Sequence, residues 1–183
     1  MGRKINTQIT GEDRRPNNFL SREVLASHPE GLKIVLLRPR IPQNTGSIAR
    51  MCAATGCSLD LVEPFFKIDD SKLKRAGLDY WPYLDVFTFA SVDEWLEVRK
   101  LDQNFWLVEV GGSKNYSDVT YARKDMLIFG DEQEGIPQEW LDKWKDRHVA
   151  IPQKNVRSLN LATSAGIVTF EALRQLSWFS TCI

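Results

Sequence analysis

The sequence predicts an α/β domain, a mainly parallel sheet flanked by helices. Two observations carry this. Short apolar runs bounded by glycine, proline or charge alternate with segments of helical period, the order expected of strand–helix–strand units. The chain is also long enough, at 183 residues and 43% hydrophobic, to bury a core on both faces of such a sheet.

Residues 1–30 are polar and rich in Arg, Asn and Glu. They read as a flexible arm, with a short helix near residues 21–27. The domain is expected over residues 31–183. Ile34-Val35-Leu36-Leu37 lies between Gly31 and Pro39 and reads as a buried strand. Residues 39–46 carry two prolines and a glycine and read as a loop. A helix over residues 47–55 places Ile48, Met51 and Cys52 on one face, and Gly56 stops it.

Residues 59–62 form a second strand, ended by Glu63-Pro64. Residues 72–77 suggest one or two helical turns. Strands follow at 86–89, 105–110 and 126–129, the last two running into Gly111-Gly112 and Gly130. An amphipathic helix covers 92–101. Another covers 137–145, with Pro137 in its first turn and Trp140, Leu141 and Trp144 inward. Residues 149–151 make a last strand and 161–178 a last helix.

Composition removes several function classes. Cys52, Cys57 and Cys182 make no disulfide framework, and His28 and His148 lie far from any cysteine pair, so no metal site is expected. His148, just before an apolar strand, reads as structural. No apolar run is long enough for a membrane span, and the start of the chain has no signal core, so the expected location is cytoplasmic; Glu12 and Asp13 weaken an organellar transit peptide and leave it as the alternative. Net charge is zero but uneven. Residues 1–50 hold nine Lys/Arg and four Asp/Glu, a balance of +5, and the rest hold fifteen and twenty, a balance of −5. A local basic face from Arg38, Arg40, Arg50, Lys72, Lys74, Arg75 and Arg157 and a scatter of solvated charges both fit.

In parallel sheets, ligands bind beyond the carboxyl ends of strands. Three segments there carry chemistry. Asn44-Thr45-Gly46-Ser47-Ile48-Ala49-Arg50 joins a polar loop to a helix start, where free N–H groups favour an anion such as phosphate. A capped helix with a surface arginine fits it too. Phe129-Gly130-Asp131-Glu132-Gln133-Glu134-Gly135-Ile136-Pro137 packs two glycines and three acids into one turn. It suits contact with a ribose hydroxyl, a cation or a paired Arg, and also a plain charged turn. It lacks the Gly-Lys-Ser/Thr ending of a phosphate loop, and Gly111-Gly112 lacks the dinucleotide fingerprint. Ile151-Pro152-Gln153 leads to Arg157-Ser158-Leu159-Asn160, a polar knuckle before a helix lined by Ala162, Ser164, Ala165 and Gly166. Ser158 has no neighbouring histidine and no nucleophile-elbow pattern, so hydrogen bonding suits it better than nucleophilic attack. The aromatic residues within 78–83 suit stacking on bases or core packing.

In their order and spacing these segments resemble motifs 1, 2 and 3 of the SPOUT RNA 2′-O-ribose methyltransferases. They are Asn44-Thr45-Gly46-x-x-x-Arg50, Phe129-Gly130-x-Glu132-x-x-Gly135-Ile136-Pro137, and Ile151-Pro152 with Ser158-Leu159-Asn160-Leu161. Leu73-Lys74-Arg75-Ala76-Gly77-Leu78-Asp79-Tyr80-Trp81 and Phe170-Glu171-Ala172-Leu173-Arg174-Gln175 resemble the branch that acts on the tRNA wobble nucleotide.

The resemblance implies a SPOUT fold with a C-terminal deep trefoil knot, a homodimer, S-adenosylmethionine as cofactor and tRNA as substrate. It implies cofactor contacts from Val108, Gly130, Ile151, Ser158 and Leu159, and an active site shaped by Arg50, Asn44, Glu132, Ser158 and Asn160. Arg50, a guanidinium that stays protonated, is a poor base and is expected to align the attacking hydroxyl or a phosphate. Ribosomal RNA methylation and a non-catalytic RNA-binding or assembly factor are the alternatives. The chain departs from its apparent relatives at Asp131, Thr163 and Phe170.

Overall fold

The structure is a computed structural model that describes residues 3–4, 31–67, 84–101 and 104–177. In chain order the elements are β1 (Arg3–Lys4), β2 (Lys33–Leu37), α1 (Pro42–Thr55), β3 (Ser58–Val62), β4 (Val86–Phe89), α2 (Val92–Arg99), β5 (Phe105–Val108), β6 (Lys114–Asn115), β7 (Met126–Phe129), α3 (Gln138–Lys143), a 3-10 turn (Lys145–Arg147), β8 (His148–Ala150) and α4 (Leu161–Gln175). The strands form one eight-stranded sheet in the order β1-β4-β3-β2-β7-β5-β8-β6. All pair in parallel except β1, which is antiparallel to β4. The α/β class expected from the alternation is therefore the class found.

Strand alternation builds two cores, one on each face. In β2, Ile34 and Leu36 face one side and Val35 and Leu37 the other; β5 and β7 divide the same way. α1 and α4 cover the first face through Ile48, Cys52, Ala165 and Val168. α2 and α3 cover the second through Trp95 and Trp140, whose rings stack 6.2 Å apart. Burying a large apolar side chain contributes roughly 1.5–3 kcal/mol, so a sheet covered on both faces is the main source of stability. One charged cluster lies inside. Asp60, fully buried, accepts from Trp95 Nε1 at 2.9 Å and from Arg99 Nε at 2.8 Å, with Lys33 Nζ 3.5 Å away. Burial pushes the Lys33 pKa down, against the pull of Asp60.

Several boundaries differ from expectation. Helix α1 begins at Pro42, not residue 47, because Pro42 sits in its first turn, where a missing N–H costs nothing. Asn44, Thr45 and Gly46 are therefore buried helical residues rather than loop. Gly56 ends the helix in the left-handed region, at φ 73°. β5 stops at Val108, and β8 is shifted to His148–Ala150. α2 ends at Arg99 and α3 at Lys143, where a 3-10 turn takes over. α4 ends at Gln175. Two short strands, β1 and β6, carry too few apolar residues to be read from sequence. β1 also removes Arg3 and Lys4 from the expected arm. The expected helices at 21–27 and 72–77, and the 73–81 resemblance, lie outside the described residues.

Candidate active site

The strand order reverses between β2 and β7: β3 and β4 extend one way, β5 and β8 the other. A crevice opens at such a point, beyond the carboxyl ends of the strands. A cavity of about 750 Å³ lies there, bounded by the segments after β5, β7 and β8 and by the first turns of α1 and α4.

A line of hydrogen bonds ties the three motifs together across it. The Glu132 carboxylate accepts from the backbone N–H groups of Arg40, at 2.8 Å, and Ile41, at 3.2 Å, and from Asn44 Nδ2 at 3.0 Å. Asn44 Oδ1 accepts from Asn160 Nδ2 at 2.9 Å. Asn160 Oδ1 accepts from the N–H groups of Ala162 and Thr163, capping α4. Each amide thus uses both ends in the same line. The start of α1 has no side-chain cap of its own, and Glu132 supplies the anion. The sequence left a phosphate site and a plain capped helix both open here; a carboxylate from the next motif lies against the residues that lead into the helix.

The turn carrying Glu132 is braced from below. Asp131 is buried, pairs with Arg40 Nε at 2.5 Å, and accepts from Gln133 N at 2.7 Å. Burial raises its pKa, but the Gln133 and Arg40 hydrogen bonds outweigh that and hold it below the usual carboxylate range. Arg40 Nη2 also reaches Glu134 at 2.9 Å. On the other side, Glu109 accepts from Ile136 N at 3.0 Å and Val110 N at 2.8 Å, joining the segments after β5 and β7. The turn closes so tightly that a Cβ on Gly130 would strike the backbone of Gly135 and Ile136. A Cβ on Gly112 would stand 2.6 Å from the Val149 carbonyl carbon. Gly135 sits at φ 71°, where any other side chain would be strained, and a Cβ there would displace the Glu109 carboxylate.

Residues 31–170 match the SpoU rRNA methylase family. The chain belongs to that family. A Saccharophagus degradans protein named tRNA (cytidine(34)-2′-O)-methyltransferase is 41% identical over 148 residues, 79% of this chain and 96% of that protein. A solved structure described as giving insights into the 2-OH methylation of C/U34 on tRNA is 39% identical, with a TM-score of 0.76, covering 82% of this chain and 99% of that one. The SpoU methyltransferase AviRb from Streptomyces viridochromogenes, solved in complex with AdoMet, is 27% identical with a TM-score of 0.69, covering 82% of this chain and 62% of that one.

In this SpoU-family chain, Asn44, Val108, Gly130, Glu132, Ile151, Ser158, Leu159 and Asn160 all line the one cavity. Arg50 does not. It is exposed farther along α1. His148 is buried, its Nε2 3.2 Å from the Glu109 carbonyl oxygen, in the structural position expected of it. Of the departures, Asp131 has become the partner of Arg40, Thr163 lies exposed in the first turn of α4, and Phe170 is 46% exposed on that helix. Sequence reasoning missed Glu109, Gln153 and the pairing of Arg40. A charge at the very end of an apolar strand was the signal for Glu109. For Gln153 only its place beside Ile151-Pro152 could have served.

Among the described residues, no helix is long and apolar enough to cross a membrane, and no three His, Cys, Asp or Glu side chains gather as a metal site.

Proposed function

We propose that this chain transfers a methyl group from S-adenosylmethionine to a ribose 2′-hydroxyl of tRNA, at the wobble nucleotide. The observation that carries the reading is the Glu132–Asn44–Asn160 line, which draws all three motifs around one cavity. Family membership and the named relative and solved structure support the substrate class.

The residues fit the cofactor. Gln153 Oε1 is a buried acceptor on the cavity wall with no partner among the described residues. Such an orphan costs about 1–3 kcal/mol, which a donor on a bound ligand would remove. The glycine turn at Gly130 lets backbone approach a ligand where no side chain fits. The Glu109 and Glu132 carboxylates on the wall favour a cation. Val108, Gly130, Ile151, Ser158 and Leu159 would hold the group. Bound there, S-adenosylmethionine supplies a methyl carbon made electrophilic by its sulfonium.

The chain's own residues do the remaining work. Glu132 and Asn160 each fix one end of the Asn44 amide, so its orientation is set before substrate arrives. Ser158, exposed at the cavity, offers its hydroxyl to the reacting ribose. Arg50 aligns the attacking hydroxyl or an adjacent phosphate, and the hydroxyl proton passes to that phosphate. Arg50 stands outside the cavity lining, and in this reading a second copy of the chain, in a homodimer, presents it to the site. In this reading the catalytic domain covers residues 31–183, and residues 157–160 are the loop that threads the deep knot. A cytoplasmic location goes with this reading.

The test is methyl transfer from labelled S-adenosylmethionine to purified tRNA. The wild type is expected to be active. Arg50→Ala is expected to lose turnover while keeping S-adenosylhomocysteine affinity. Retained turnover in that variant would defeat the role of Arg50. Because the family is described by rRNA methylation, ribosomal RNA is the second substrate to offer, and label there alone would replace tRNA in the reading.

A further inference from the structure

Phe65 lies outside the cavity lining, yet it is 59% exposed and fixed in place. It follows β3, and its backbone N–H donates to the Pro39 carbonyl at 3.1 Å, joining the segments after β2 and β3. The Arg40 guanidinium lies over the ring, 4.2 Å from its centroid. That guanidinium is itself held by Asp131 at 2.5 Å and Glu134 at 2.9 Å, and the Arg40 backbone N–H binds Glu132. Asp131, Glu132 and Glu134 all line the cavity, as does Ile41, the neighbour of Arg40. The ring is therefore mounted on the turn that forms the active site.

A solvent-exposed phenylalanine is ordinarily a loss of hydrophobic stabilisation, and a lone one can rotate freely. This one has one face covered by an ion-paired cation and one face turned outward. A guanidinium on one face of an aromatic ring is held by cation–π attraction. The other face is left flat, apolar and preorganised. Single-stranded nucleic acid is bound on such platforms, because every base has a π-face and stacking tolerates sequence. Lys67, exposed two residues on, adds a positive charge suited to a phosphate.

We propose that Phe65, backed by Arg40, is the stacking platform for a nucleobase of the substrate RNA next to the methylated ribose. This rests on the RNA methylation reading above. The platform fixes the substrate strand relative to the turn bearing Glu132, so it acts in substrate binding and not in the transfer step.

The experiment compares wild type, Phe65→Ala and Phe65→Trp in three measurements. These are binding of an anticodon stem-loop RNA by fluorescence anisotropy, methylation kinetics on the same RNA, and calorimetric affinity for S-adenosylhomocysteine. Phe65→Ala is expected to weaken RNA binding and raise KM by about tenfold, the equivalent of about 1.4 kcal/mol and within the range for one stacked base. Cofactor affinity should not change, and Phe65→Trp should restore RNA binding. Unchanged RNA affinity in an active Phe65→Ala protein overturns the platform alone. A shift in oligomeric state by light scattering in Phe65→Ala also overturns it, because the ring would then belong to an interface between copies. A wild type that neither binds nor methylates the RNA removes the underlying reading, and the platform with it.

Discussion

Replacing Asn160 tests the line of hydrogen bonds that organises the site. Asn160 does two separable things. Its Oδ1 caps α4 through the N–H groups of Ala162 and Thr163, and its Nδ2 satisfies Asn44 Oδ1. Losing a cap costs about 1 kcal/mol. Asn44 is only 7% exposed and its Nδ2 is committed to Glu132, so its oxygen would be left unpaired, at about 1–3 kcal/mol. Asn160→Ala is therefore expected to destabilise by about 2–4 kcal/mol. For a chain of this size 1 kcal/mol is roughly 2–4 °C, giving a fall in Tm of about 4–16 °C. Asn160→Ser keeps a capping oxygen but is too short to reach Asn44, so only the second cost should remain. Urea denaturation of both variants, alone and in an Asn44→Ala background, separates the terms. Asn160→Ser should become nearly neutral once Asn44 is gone, since the two side chains are coupled. Equal costs in both backgrounds would show that the bridge contributes nothing, and the reasoning would fail.

Other outcomes follow from the same geometry. Gly130→Ala, whose Cβ would strike the Gly135–Ile136 backbone, should weaken S-adenosylhomocysteine binding at least about tenfold by calorimetry, with the overpacking itself costing about 1–3 kcal/mol; wild-type affinity would mean the turn yields. Gln153→Leu removes a buried acceptor that has no partner, so it should leave Tm unchanged or raised while weakening that same ligand, and a parallel loss of both would contradict it. Asp60→Ala leaves Lys33 and Arg99 buried without their shared carboxylate, and a loss of about 3–5 kcal/mol is expected in urea. Glu171 is held down to about 2 by hydrogen bonds from Arg174 and Gln175. Its contribution is present above the ordinary value of 4.5 and fades as pH falls from there toward about 2. A Glu171→Gln variant should therefore show a shallower drop in Tm across that window, and an unaltered profile would count against it.

The α/β class and the order of the main elements were legible because strands buried on both faces read as continuous apolar runs. Ile34–Leu37 and Met126–Phe129 were placed closely for that reason. Boundaries failed where tertiary contacts override local signals. Pro42 and Gly46 read as loop residues, yet Pro42 is tolerated in the first turn of α1, and the side chain of Asn44 is held by Glu132 from a distant turn. Eight of the nine residues implied by resemblance line one cavity because their motifs sit at the ends of strands that meet there. Arg50 does not line it; it stands exposed farther along α1, and its motif spacing alone could not show that. Glu109 was missed because its role is defined by partners at residues 110 and 136, which only folding brings together. A paired Arg was among the readings of the 129–137 turn, but that Asp131 and Arg40 are the partners depends on folding.

The reaction proposed for the cavity beyond β5, β7 and β8 is 2′-O-methylation of the tRNA wobble ribose. The most direct measurement is nucleoside mass spectrometry of tRNA incubated with the purified protein and labelled S-adenosylmethionine, with the modified position mapped by nuclease fragments. One labelled nucleoside, methylated on the ribose, is expected in the anticodon wobble position. A label on a base, at another tRNA position, or only in ribosomal RNA would contradict it.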